Sequence, residues 1–219
     1  MPVWFLDLDG TLYADATGLW AVISHRINLY LQQRLGLSAA AAQQTRQRWM
    51  STYGTTLRGL MAEHPHLADP AAYFAFAHDV PLGKYLQPDP RLRATLLQLP
   101  GTRWLFTNAD APYARRVLRV LGVEDVFAGV VDIFATGLCP KPKPRAYHQA
   151  LALSDARASE AVLVDDRWEN AAAAHREGWY AVWVHPHDAA VARRAAVDAV
   201  IPTIYALPQQ VVRQAQGEG

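Results

Sequence analysis

Asp7 and Asp9 stand two residues apart at the end of an apolar run that begins at Val3. In an extended chain that spacing starts both carboxylates on the same face. Asp165 and Asp166 close a second apolar run, Ala161 to Val164, and Thr107-Asn108 closes a third. Lys141 lies in a loop leading to a helix that opens at Pro144. Singly, each has an ordinary explanation. Acids before Gly10 suit a turn, Thr107-Asn108 or one acid of the pair suits a helix cap, and a lysine suits any surface. Gathered in one place, the acids would repel one another without a counter-ion. With a divalent cation and a basic residue, the same cluster becomes a site for handling a phosphoryl group.

The elements that must position these residues change character along the chain. After the first strand, Val3 to Leu8, the pattern is helical. Leu19 to Leu35 repeats apolar residues at helical spacing and stops at Gly36, and Ser38 caps a second helix from Ala39 towards Tyr53. Further helical pieces, including Pro70 to His78, run to Tyr85, and no strand is expected between residues 15 and 100. From Asp89-Pro90 strands and helices alternate. Strands are expected at Arg103–Thr107, Val130–Phe134, Ala161–Val164 and Tyr180–Val184, with helices from Asp89, Pro112, Pro144 and Trp168.

That alternation predicts an α/β fold, a Rossmann-like parallel sheet with helices on both faces. Residues 1–15 and 88–219 are expected to form this core, and residues 16–87 an all-helical cap inserted after the first strand. In open parallel sheets ligands bind beyond the carboxyl ends of the strands, so the four polar groups converge on one sheet edge.

Composition narrows the remaining classes. The 219 residues are 51% hydrophobic and 19% charged, which excludes intrinsic disorder. With 21 Lys+Arg against 20 Asp+Glu the net charge is +1, unlike a dedicated nucleic-acid binder. Arg115, Arg116 and Arg119 are expected to form a solvated helix face. No apolar run reaches the roughly 20 residues of a membrane span, and the acidic N-terminal segment lacks a basic leader region. A soluble cytoplasmic protein, with no nucleic-acid or membrane partner, is the expectation. Cys139 is the single cysteine, so no internal disulfide or cysteine-based zinc site is expected. The eight histidines show no metal-binding spacing; His64-Pro65-His66 and His185-Pro186-His187 read as loops. Trp20, Trp49 and Phe74 are expected to be helix core.

In order, DLDGT at 7–11, Thr107, Lys141 and Asp165-Asp166 resemble the motifs of the haloacid dehalogenase-like hydrolase superfamily. A narrower resemblance, to its pyrimidine 5′-nucleotidase branch, lies in YGTTLRGL at 53–60, LYAD at 12–15, LFTNAD at 105–110, KPKPRAYHQAL at 141–151 and VDDRWEN at 164–170. The chain departs from that branch where Ala109-Asp110-Ala111-Pro112-Tyr113 replaces a glycine and a His-bearing segment, and where Arg167 replaces a serine.

The resemblance implies roles. Asp7 would attack phosphorus and form an aspartyl-phosphate. Asp9 would protonate the leaving oxygen and then take a proton from water. Gly10 and Thr11 would let the chain turn close to the phosphoryl group. Thr107, helped by the Asn108 backbone, would donate to a phosphoryl oxygen, and Lys141 would neutralise its charge. Lys143 competes for that place, but the family register starts at Lys141. Mg²⁺ would be held by Asp7, the Asp9 carbonyl and the acid pair, Asp166 directly and Asp165 as a second or water-mediated ligand. The cap would act as a lid, with Tyr53, Thr56 and Arg58 facing substrate.

The implied function is a Mg²⁺-dependent phosphomonoester hydrolase, with a pyrimidine nucleoside monophosphate (UMP or CMP) as substrate. Another phosphometabolite, such as a sugar phosphate or phosphoglycolate, is the alternative. A phosphomutase and a non-catalytic binding protein stand further off. Carbon–halogen hydrolysis is disfavoured because it needs neither Asp9 as acid/base nor the acid pair. The stretch from Pro202 to Gly219 is expected to be a final helix and loose tail.

Overall fold

The computed structural model describes residues 1–186 and 196–210. Two compact units emerge: Met1–Asp15 together with the described residues from Leu86 onward, and Ala16–Tyr85.

The first unit is built on a six-stranded sheet: β1 (Val3–Leu6), β2 (Thr102–Phe106), β3 (Gly129–Val131), β4 (Ala161–Asp165), β5 (Tyr180–Val184) and β6 (Ala199–Ile201). The order is β3-β2-β1-β4-β5-β6, and every neighbouring pair is parallel. Helices α5 (Pro90–Leu97), α6 (Ala111–Leu121), α7 (Pro144–Ser154) and α8 (Trp168–Arg176) connect the strands. Strand order reverses at β1, which lies between β2 and β4, and such a switch point opens a crevice at the carboxyl ends of the strands. The register fixes what lines it. Leu6 pairs with Leu105 on one side and Val164 on the other, so Asp7 comes level with Phe106 and Asp165.

Aromatic side chains fill one face of the sheet. Phe5 lies 4.7 Å from Trp179 between ring centroids, and Tyr147 meets both Trp179 and Phe106 edge-on. All of β4 is buried, as expected of a central parallel strand.

The second unit contains α1 (Leu19–Leu35), α2 (Ala39–Tyr53), α3 (Thr56–Glu63) and α4 (Pro70–Ala77). Capping residues set their ends. Ser38 accepts from the N–H of Ala41, Thr55 from that of Arg58, and Asp69 from that of Ala72 just ahead of Pro70. Gly36 and Gly54 close α1 and α2 in the left-handed conformation. Gly59 serves packing instead. A Cβ there would lie 2.1 Å from the indole of fully buried Trp49.

Several sequence expectations need correction. β1 stops at Leu6, because Asp7–Thr11 turns away to form the site. β3 stops at Val131 instead of running to Phe134. Asp132 leaves the ladder and accepts from the N–H groups of Ala111 and Ala135. β6, with only three residues, had no periodicity to betray it. Trp20 is 41% exposed, whereas Trp49 and Phe74 are buried as expected. Ile204–Ala206 forms a short 3-10 turn that runs into α-helix at residues 207–210, as the expected C-terminal helix requires. His187 and the end of the expected C-terminal helix lie outside the described residues.

Trp179 offers a test of this core. Its indole N–H is buried with no partner among the described residues, so Trp179→Phe removes no hydrogen bond seen there and should cost less than about 1.5 kcal/mol in urea unfolding. Trp179→Ala, which empties the ring stack, should cost about 3–5 kcal/mol.

Candidate functional site

Lys141 is the centre. Its side chain is fully buried, and its ammonium donates to Asp7 Oδ1 at 2.8 Å, Asp165 Oδ2 at 2.6 Å and the Phe106 carbonyl at 2.6 Å. The ammonium also lies 4.8 Å from the centroid of the Phe106 ring. Burial alone would lower its pKa, but Asp165 and Asp7 outweigh that and hold it above the usual lysine value. Lys143, two residues on, is exposed.

The loop that carries Lys141 is held by Asn108. Its side-chain amide donates to the Lys141 carbonyl at 3.1 Å, and its Oδ1 accepts from the Lys141 N–H at 2.8 Å. Asn108 thus contributes a side-chain clasp where the sequence suggested a backbone helper. Thr107 is buried and accepts from the N–H of Ala109, which leaves its own hydroxyl hydrogen available to donate.

The adjacent acids Asp165 and Asp166 have opposite surroundings. Asp165 is saturated: Oδ1 accepts from the Arg167 N–H and the Asn170 amide, and Oδ2 from Lys141 and the same amide. Asn170 lies on the first turn of α8, and its carbonyl accepts from the Tyr147 hydroxyl. Asp166 accepts only a long 3.4 Å contact from Thr11, on Oδ1, whereas its backbone is pinned by Thr11 Oγ1 and the Trp183 indole. Gly10 allows this approach. It has φ +91°, and a Cβ there would come within 2.4 Å of Asp166 Oδ2.

Asp7, Asp165 and Asp166 each bring one carboxylate oxygen within 4.8 Å of the others. Two like charges at that distance repel by about 3 kcal/mol at an effective dielectric of 20, and one lysine cannot balance three carboxylates. Burial, followed by Asp165, raises Asp166 to about 6; burial also lifts Asp7 well above the usual carboxylate range, with Lys141 opposing. Among the described residues no donor reaches Asp7 Oδ2 or Asp166 Oδ2. This donor set fits a hard divalent cation with carboxylate and water ligands.

Asp9 sits apart from the lysine. Its Oδ1 accepts from the hydroxyls of Tyr113 and Tyr13. The sequence reading missed both tyrosines and Asn170. Tyr113 reaches Asp9 from 104 residues away, whereas Tyr13 and Asn170 lie four and five residues from the carboxylates they serve, within LYAD and VDDRWEN, where they look like ordinary aromatic and cap residues.

In the helical unit, Tyr53 donates to Glu63, which is also forked by Arg48 at 2.5 and 2.7 Å, and Thr56 is buried beside Tyr73. Arg58 keeps a buried Nε with no acceptor among the described residues. Arg115 and Arg119 lie on the exposed side of α6 and face Glu124.

Fold and site define a doubly wound α/β protein with a carboxylate–lysine centre at its switch point. Residues 1–178 match the haloacid dehalogenase-like hydrolases, and the chain belongs to that family. It is 28% identical over 183 residues to phosphate metabolism protein 8 of Saccharomyces cerevisiae, covering 77% of this chain and 56% of that protein. It is 34% identical over 96 residues to sesquiterpene phosphatase astK of Aspergillus oryzae, covering 42% and 48%. The chain therefore spans about half the length of the curated relatives it matches. Among solved structures it resembles a HAD phosphatase from Thermococcus onnurineus (TM-score 0.63, 23% identity, 100% and 99% covered). It also resembles a 2-haloacid dehalogenase from Pseudomonas syringae (TM-score 0.65, 24% identity, 98% and 99% covered). Those two likenesses concern the fold. No described helix is long and apolar enough to cross a membrane.

The raised carboxyls predict a pH effect. A carboxyl whose folded pKa exceeds its unfolded value holds its proton more tightly when folded. Metal-free stability from Asp166 is therefore present below about pH 4 and lost as pH rises through about 6. A cation binding the ionised cluster competes with that proton. Thermal melts in EDTA and in Mg²⁺ should show a small metal-induced rise in Tm near pH 5 and a larger one near pH 7.5. Equal rises at both would place the metal elsewhere.

Proposed function

We propose that the chain is a Mg²⁺-dependent phosphomonoesterase acting through a phosphorylated Asp7. Nucleoside 5′-monophosphates of the pyrimidine type are the preferred substrates in this reading. The observation that carries the chemistry is the state of Asp7: a buried carboxylate with Oδ1 against the Lys141 ammonium and Oδ2 without a protein donor. Such a group can face a phosphoryl group and a cation at once. The phosphatase named among the relatives supports the same reaction class.

Each residue then has a task. Asp7 attacks phosphorus, and the bond to the leaving oxygen breaks as Asp9 gives that oxygen a proton. Asp9 next takes a proton from the water that hydrolyses the aspartyl-phosphate, and Asp7 is restored. Lys141 holds Asp7 in line and offsets the charge of the phosphoryl oxygens, and Thr107 donates its hydroxyl hydrogen to one of them. Asp7, the Asp9 carbonyl and Asp166 would hold Mg²⁺, which supplies further charge neutralisation when bound. Saturated Asp165 orients Lys141 and would serve the metal as a second or water-mediated ligand.

The substrate class rests on the YGTTLRGL segment and its neighbours. Within it Arg58 is the residue whose polar group is left unsatisfied by its own unit, which suits it to an acceptor on the substrate. A second reading, a phosphate ester other than a nucleotide, is favoured by the terpenoid named in one relative.

Phosphate release from CMP, UMP, AMP, GMP, a sugar phosphate and phosphoglycolate tests both levels. Activity should require Mg²⁺, fall in EDTA and drop at least about 10³-fold in Asp7→Asn. CMP or UMP should be preferred, and preference for another ester would keep the chemistry and replace the substrate. Arg58→Ala should raise KM for the preferred substrate several-fold with kcat nearly unchanged, the signature of lost uniform binding.

A further inference from the structure

Asp9 has two unequal oxygens. Oδ1 accepts from the Tyr113 hydroxyl at 2.8 Å and from the Tyr13 hydroxyl, and the two phenol oxygens lie 3.1 Å apart. Among the described residues no donor reaches Oδ2. Both phenols are buried, and the pair is drawn from two different places: Tyr13 closes the loop after β1, and Tyr113 lies on the first turn of α6. Both hydroxyls donate to the same oxygen, Oδ1, so each phenol spends its one hydrogen there. A proton placed on Oδ1 would meet two O–H hydrogens already there, whereas one on Oδ2 would not.

We propose that Tyr113 and Tyr13 form a clamp that makes Oδ2 of Asp9 the proton-carrying oxygen for departure of the leaving group. The inference rests on Asp9 being the general acid. In the step concerned, an Asp7 oxygen bonds to phosphorus and the bond to the leaving oxygen breaks with its electron pair. That oxygen takes the proton from Oδ2, and Asp9 ends as a carboxylate still held through Oδ1. The tyrosines touch no reacting atom and are positioning residues. Tyr113 belongs to the 109–113 segment in which the chain leaves the branch pattern, so half of the clamp lies in a segment particular to this sequence.

The test exploits leaving groups. An alkyl phosphate needs a proton on its leaving oxygen, whereas p-nitrophenyl phosphate leaves as a stable phenolate. We would compare kcat/KM on glycerol 2-phosphate and p-nitrophenyl phosphate for the Mg²⁺-loaded wild type, Tyr113→Phe, Tyr13→Phe and Asp9→Asn. Tyr113→Phe should lose about tenfold on the alkyl ester, part of the 10²–10⁴ that a positioned acid supplies, and stay within twofold on the aryl ester. Equal losses on both esters, or none on either, would overturn the clamp. If Tyr113→Phe does not fold, the same comparison on Tyr13→Phe decides. Asp9→Asn separates the two layers. A selective alkyl loss there without one in the tyrosine variants removes the clamp alone, and an unselective loss removes Asp9 as the acid as well.

Discussion

A single buried ammonium organises the site. Lys141 joins the loop after β3 to the ends of β1, β2 and β4 through Asp7, the Phe106 carbonyl and Asp165. Without it, two carboxylates would face each other in a desolvated crevice, and breaking such a pairing typically costs about 3–5 kcal/mol. The supporting contacts follow from that need. Asn108 clasps the lysine backbone in both directions, and Asn170 fills the lone pairs of Asp165 that the lysine leaves open. Tyr147 holds the Asn170 backbone in turn.

The same constraint explains why two adjacent acids differ so sharply. At the end of β4 successive side chains point to opposite faces. Asp165 turns towards the lysine and is saturated, and Asp166 turns towards the β1 loop, where Thr11 and Gly10 leave an oxygen bare. A saturated acid orients its neighbours, and an open one is available to a cation. The difference in their hydrogen bonding therefore has a physical basis in strand alternation. Trp183 and Thr11 reinforce it by fixing the Asp166 backbone and leaving its side chain open.

Sequence patterns revealed the parts of this arrangement governed by local rules. Ser38 and Asp89 cap α2 and α5 as their residue types demand, and α1 spans the range its periodicity defines. The sequence of strands and helices, and with it the gathering of Asp7, Thr107 and Asp165 at one sheet edge, followed from their alternation, although β1 and β3 end earlier than their apolar runs. What escaped depended on distant partners. Nothing near Asp132 announces that its carboxylate leaves the ladder to serve the backbone of Ala111, and three residues of β6 carry no period. Trp20 sits at helical spacing with α1's apolar residues and is still exposed, because spacing locates a face and cannot say how wide the covered stripe is.

The tyrosine pair on Asp9 is the sharpest case. Tyr13 and Tyr113 are separated by 100 residues and each looks like ordinary aromatic core in its own segment. Only β1 and β2 lying side by side, with α6 following β2, brings the two phenols to one carboxylate oxygen. Lys141 acts on Asp7 in a parallel way, by occupying one oxygen and leaving the other. Both acids of the DLDGT segment thus have their two oxygens made chemically distinct by donors from outside it. Two equivalent oxygens on a freely rotating carboxylate would present many geometries to a substrate. One anchored oxygen leaves a single direction for the other, and that preorganisation is what the proposed reaction would need to use the pair as an oriented nucleophile and an oriented acid.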